Sequence, residues 1–160
     1  MSENRIRKSG SAQSYGPGSV GVRFDTSNTP KYNPDGTERN LAPIVVRHKV
    51  DANSVDENVF IAPFACKLVR AQEAHSVVGG AGAQVDVKKC TGTTAPASGT
   101  SMLGSVFDLT SGVAVNTVTD KTLATSSSTL TLAAGDRVSL DFTGTLTGLV
   151  GVVTLTFVQV

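Results

Sequence analysis

Across residues 137–143, Val138, Leu140 and Phe142 alternate strictly with Arg137, Ser139 and Asp141. A period of two puts alternate side chains on opposite faces of a strand, so the segment buries its apolar set only by pairing into a sheet with one face covered. Residues 84–88 repeat the pattern, with Val85 and Val87 on the inward face. From residue 43 onward the chain consists of short runs rich in β-branched residues, each bounded by Gly, Ser, Asn or Asp. This spacing predicts strands over 44–50, 58–62, 66–74, 83–89, 112–119, 129–132, 137–143 and 150–158. Eight antiparallel strands are the count of a jelly roll, so the expected fold class is all-β, an antiparallel β-sandwich of jelly-roll type. Residues 99–109 are the one stretch with a helical option, with Ser101 as cap, but Gly104 makes a single turn or a further strand equally compatible.

The last strand has a different pattern. Val153, Leu155 and Phe157 fall on one face, and Val152, Val158 and Val160 on the other. A strand apolar on both faces is either central in a covered sheet or pressed against another subunit. An uncapped apolar end is also an edge that a monomer would blunt with charge or proline. Val152, Val158 and Val160 are therefore the expected subunit interface.

Residues 1–42 are unlike the remainder. They carry Pro17, Pro30 and Pro34, turn pairs such as Asn33-Pro34-Asp35-Gly36, and almost no apolar periodicity, and are expected to form an extended Pro/Gly-rich arm ahead of a domain at 43–160. Over the first fifty residues eight cations face four anions, a net of about +4 that leaves about −3 for the rest. A basic arm on a mildly acidic body suits docking on an acidic neighbour as well as it suits a solvated tail. Tyr15, Val20, Val22, Phe24 and Tyr32 are bulky for a linker that only solvates. At about 3.3 Å per residue the arm would reach on the order of 130 Å, enough to contact a partner or a neighbouring copy.

Composition narrows the function classes. Charged residues make up 17% of the chain, aromatics 5%, tryptophan is absent and the formal net charge is +1, too balanced for a surface that grips a polyanion. With no apolar run of eighteen residues, neither a membrane span nor a secretory signal is expected. Cys66 and Cys90 lack the short paired spacing of a zinc or redox motif and read as small buried hydrophobes, with a disulfide as the alternative. His48 and His75, the two histidines, have no second ligand at metal spacing. No Gly-x-Ser-x-Gly elbow is present. Asp56-Glu57, Asp136 and Asp141 are candidate carboxylates by type, but read as turn residues and a solvent-facing strand residue. The oxygen-rich set at 51–58 does not match a calcium loop, and Gly79, Gly80 and Gly82 read as a flexible hairpin tip, since a strand follows them where a phosphate loop needs a helix. No enzyme activity, cofactor or metal is expected.

Residues 89–100, Lys-Cys-Thr-Gly-Thr-Thr-Ala-Pro-Ala-Ser-Gly-Thr, followed by 129–145 with Ala133-Ala134-Gly135-Asp136-Arg137-Val138, and then a Gly-Val-Val-rich last strand, resemble capsid decoration (cement) proteins and related head or fibre modules of tailed bacteriophages. The resemblance covers roughly 43–160 and lies in the style and order of segments. It implies a β-sandwich that trimerises on the capsid exterior and a terminal extension that binds the major capsid protein. A virion protein of the capsid surface, made in the host cytoplasm, would bridge capsid subunits, with no nucleic-acid or membrane partner. In that reading Arg5, Arg7 and Lys8 meet acidic patches, while Tyr15, Phe24 and Tyr32 fill shallow pockets. The alternative is a carbohydrate- or receptor-binding module of a fibre or tail, disfavoured by the absence of Trp and Tyr beyond residue 32.

Overall fold

The structure, a computed structural model, describes residues 42–110 and 114–160. The expected arm residues Arg5, Arg7, Lys8, Tyr15, Phe24 and Tyr32 lie outside the described residues. Among the described residues ten strands form: β1 (Ile44–Asp51), β2 (Glu57–Ile61), β3 (Cys66–Val77), β4 (Gln84–Cys90), β5 (Thr100–Ser101), β6 (Phe107–Asp108), β7 (Thr119–Asp120), β8 (Thr131–Leu132), β9 (Arg137–Thr143) and β10 (Val150–Gln159). They make two antiparallel five-stranded sheets, an all-β sandwich. The first runs β1-β10-β3-β7 with β8 also on β3; the second runs β2-β9-β4-β5 with β6 also on β4. Pairing is nested: first strand with last, second with penultimate, third with β7 and β8, fourth with β5 and β6.

The alternation read at 137–143 is realised residue for residue: Val138 and Leu140 are buried, and Phe142 packs against the same core. They meet Leu68, Val153, Leu155 and Phe157 of the first sheet. Phe157 on β10 stacks on Phe60 of β2, ring centroids 4.6 Å apart and planes 23° apart, joining the two sheets through their largest side chains. Cys66 and Cys90 are both buried and unpaired.

Several expectations change. The strand expected over 112–119 is absent from its described part until Thr119; Asn116 takes a left-handed φ of 58°, and its N–H donates to the His75 carbonyl at 2.7 Å, which makes a turn. The strand expected at 129–132 is half helical: a single turn, Ser127–Leu130, precedes the two residues of β8. At 99–109 the strand option holds, as the short β5 and β6. The glycine-rich stretch at 78–82 is no hairpin tip, because β3 and β4 belong to different sheets, and it is tied down by bonds from Gly79 N–H to the Leu109 carbonyl (2.8 Å) and Gly80 N–H to the Thr145 carbonyl (2.7 Å). Gly144, with φ of 76°, closes this corner; a Cβ there would run into the backbone of Gly82, so both the conformation and the close approach require glycine.

The outer face of the second sheet is polar but largely covered. Residues 91–99 return over β9, where Arg137 donates to the carbonyls of Gly92 and Thr94, each at 2.9 Å. Beneath this loop Ser139 is fully buried, donates to Asn58 Oδ1 at 2.8 Å and lies 3.2 Å from the Cys90 sulfur. Asp141, expected to face solvent, is 13% exposed and pairs with Lys88 at 2.6 Å.

Candidate interaction surface

Residues paired across antiparallel strands share a face. Because Val153, Leu155 and Phe157 point into the core, Val152, Thr154, Thr156 and Val158 point out from the first sheet. Their partners complete the outer face in rows: Val45, Thr156 and Arg70; Arg47, Thr154 and Gln72; Lys49, Val152 and Ala74. Val158 stands opposite Lys67.

The expected interface valines are thus placed in two ways. Val152 and Val158 share the outer face, half-buried, with Thr154 and Thr156 between them. Val160 lies beyond the strand end, 61% exposed, its N–H donating to the Ala65 carbonyl at 3.2 Å. The open backbone edge expected for this strand does not exist: β10 is hydrogen-bonded to β1 on one side and β3 on the other. First-with-last pairing draws the C-terminal strand into the interior of its sheet, leaving β1 as the edge.

Charges border this face. Arg70 binds Asp120 through two bonds, 2.7 and 3.0 Å, which holds the Asp120 carboxyl below the usual range and fastens β7 to β3. Lys49 pairs with Asp51 at 2.9 Å, and that bond lowers the Asp51 carboxyl. Between these pairs the centre of the face, on β10, is Val152, Thr154 and Thr156, with Arg47 and Gln72 at the two ends of the middle row and Val45 exposed beside Thr156. An apolar centre with a charged margin is the usual anatomy of a protein–protein contact. The outer face of the second sheet differs, since its ionic groups are consumed internally: Lys88 by Asp141 and the Ala97 carbonyl, Asp86 by Ser101 and the Val87 N–H, Asp56 by the Phe142 N–H.

The carboxylates singled out in the sequence have structural partners. Glu57 pairs with His48 at 2.9 Å across the β1–β2 margin, and Asp136 accepts from the Ala133 N–H at 2.9 Å. A cleft of about 310 Å³ lined by Lys89, Thr91, Thr94, Ser98, Thr100, Ser128 and Thr129 is rich in hydroxyls. Its one cation is spent on the chain itself, since Lys89 Nζ donates to the carbonyls of Thr131 (2.6 Å) and Ser128 (3.2 Å).

One constellation escaped the sequence reading. Glu73 and His75, two apart on β3, both face the sandwich interior with side chains fully buried, Nδ1 2.8 Å from Oε1. Burial pushes the Glu73 carboxyl up, against the opposing pull of the His75 bond and the Lys121 charge. Glu73 Oε2 and His75 Nε2 have no partner among the described residues. Gly151, across the sheet from His75, makes room: a Cβ there would lie 2.9 Å from the Ala74 carbonyl and 3.0 Å from the His75 Cβ. The signal for this pair was a glycine interrupting an otherwise continuous Val-rich strand.

No family model matches the chain, and no curated protein matches it. Among solved structures, the chain is similar to one from the capsid of Ralstonia phage GP4, with a TM-score of 0.51 and 14% identity, covering 74% of this chain and 85% of that one. The likeness is one of fold, and the fold is one that occurs in a phage capsid.

Proposed function

We propose that this chain is a structural virion protein of a tailed phage, one that binds the outside of a capsid and bridges its subunits through residues 1–42 and an oligomeric β body. The observation that carries the reading is the fold shared with a chain of a phage capsid over most of both lengths, in a sandwich whose segments 89–100 and 129–145 resemble decoration proteins. The nested pairing of strands, β1 with β10 and β2 with β9, is that of a rolled-up hairpin and supports reading the sandwich as a jelly roll. A bridging protein stabilises a shell because local opening must also break its contacts, an effect multiplied when several weak contacts act together.

Deletion of residues 1–42 tests the arm. Occupancy of empty capsids, measured by quantitative electrophoresis of sedimented shells, is expected to fall by about tenfold or more on loss of one of two linked contacts. Undiminished occupancy by 43–160 alone would reject the arm's role. The proposed trimer contact is tested separately with Val152→Asp and Val158→Asp. Both side chains stand on the outer face of the first sheet, so a charge there is expected to shift the sedimenting species from trimer to monomer with little change in circular dichroism. A variant that still sediments as a trimer would place the contact elsewhere.

The glycan-binding reading has one observation in its favour, the hydroxyl-rich cleft beside Lys89. No aromatic ring lines that cleft, so the stacking platform on which sugar recognition usually rests is missing there.

A further inference from the structure

The two sheets manage their edges differently. At the far side of the first sheet β7 and β8 are two residues each, too short to template another strand. In the second sheet β5 and β6 are equally short, and β2 is interrupted by a bulge between Asn58 and Phe60. Among the described residues only β1 is a long, regular edge: eight residues paired in unbroken register with β10 and hydrogen-bonded to no described strand on its other side. It carries neither proline nor bulge.

Two features of β1 state what would fit beside it. Its inward side chains Ile44 and Val46 pack on the core yet remain only partly buried, as do Val59 and Phe60 on the adjoining edge strand of the other sheet. The His48–Glu57 pair bridges one part of this margin, but beside Ile44 and Val46 the sandwich is incompletely covered, and apolar side chains from an added strand would close it there. On the outward face Arg47 and Lys49 are exposed; Arg47 makes no ion pair among the described residues, and Lys49, 75% exposed, shares its charge with Asp51 on the same strand. In the two antiparallel registers that keep the faces in phase and pair seven of the eight residues, self-pairing of β1 with a second copy sets Arg47 against Arg47 or Lys49 of the partner, and like charges directly opposite are destabilising.

We propose that the free edge of β1 accepts an extended segment of another polypeptide, added as a further antiparallel or parallel strand, whose residues alternate between apolar and acidic. Backbone hydrogen bonds to β1 supply affinity, apolar residues cover Ile44 and Val46, and acidic residues meet Arg47 and Lys49. This goes beyond the capsid reading and does not depend on the arm: it assigns a docking element to the β body and a chemistry to its partner.

The experiment uses the full chain and three fluorescent dodecapeptides of alternating Val-Glu, Val-Lys and Ser-Gly, with anisotropy for binding and amide hydrogen exchange for location. The Val-Glu peptide is expected to bind and to slow exchange within residues 44–51. The double variant R47E/K49E is expected to lose that binding by about tenfold and to gain affinity for the Val-Lys peptide, the scale of two rim ion pairs. Arg47→Ser with Lys49→Ser, which removes charge without reversing it, should weaken the first and leave the second unbound. The proposal is overturned if the Val-Glu peptide leaves unchanged the exchange of the β1 amides that are not bonded to β10, if all three peptides bind alike, or if those edge-facing amides are already protected in the free full chain, which would mean the edge is occupied by another part of the chain or by a second copy.

Discussion

Replacing His75 with phenylalanine is expected to cost the fold about 3–5 kcal/mol at neutral pH, the scale for removing one member of a buried ionisable pair. Among the described residues the imidazole is the one side chain bonded to Glu73, and both side chains are fully buried. Without it a carboxyl group is left buried with no side-chain partner among the described residues. The double variant Glu73→Leu/His75→Phe should recover much of the loss, because it removes the stranded charge together with its partner. A double variant as unstable as His75→Phe alone would show that the cost is steric.

The same site gives a pH dependence of known sign. The folded-state Glu73 carboxyl is raised, principally by burial, so the folded chain holds that proton more tightly than the unfolded chain. The stability from this group is present in full below the unfolded-state value and is lost as pH rises through the folded-state value. The deficit of His75→Phe should accordingly shrink as pH is lowered into the carboxyl range. Glu73→Gln, which keeps an acceptor for the imidazole but cannot ionise, should remove the slope. Urea titrations of the full chain at fixed protomer concentration, repeated across pH, check all three outcomes.

The second large effect is expected at Phe157. This ring is fully buried on β10 and stacks on Phe60 of the opposite sheet, so Phe157→Ala removes both the apolar surface and the packing across the sandwich. The loss should be about 3–5 kcal/mol, whereas Phe157→Leu, closer in volume, should cost roughly 1.5 kcal/mol or less. Part of the difference is the stack itself, about 0.5–1.5 kcal/mol, which a Phe60/Phe157 double-mutant cycle isolates. Equal losses for alanine and leucine in urea denaturation would mean that the contact between the sheets does not rest on this ring.

Much of the fold was legible because its decisive signals are local. Strands at 137–143 and 44–50 reappear within a residue, since strict alternation and β-branched content act through nearest neighbours and one-sided burial. The misplaced elements are those where backbone hydrogen bonding overrides propensity: Asn116 turning against the His75 carbonyl, and residues 127–130 closing a helical turn through Leu130 N–H and the Ser126 carbonyl. The candidate surface was half legible. Periodicity put Val152 and Val158 on one face with Thr154 and Thr156 between them, but only pairing shows which residues of β1 and β3 flank them and that β1, not β10, carries the free edge.

The division is sharpest on β3. Alternation counted from Cys66 and Leu68 would turn Arg70, Gln72 and Ala74 inward and leave Glu73 and His75 in water. The bulge between Leu68 and Arg70, where two residues of β3 oppose one step of β10, reverses that phase and buries the acid and the histidine. By itself the sequence determined that the chain after residue 43 is an all-β sandwich and which side chains of its regular strands form the core, because those choices follow from the two-residue period of each strand. The tertiary structure alone decided which strands are neighbours, which edge stays open and which polar pair is sealed inside, because register and bulges depend on a partner strand distant in the chain.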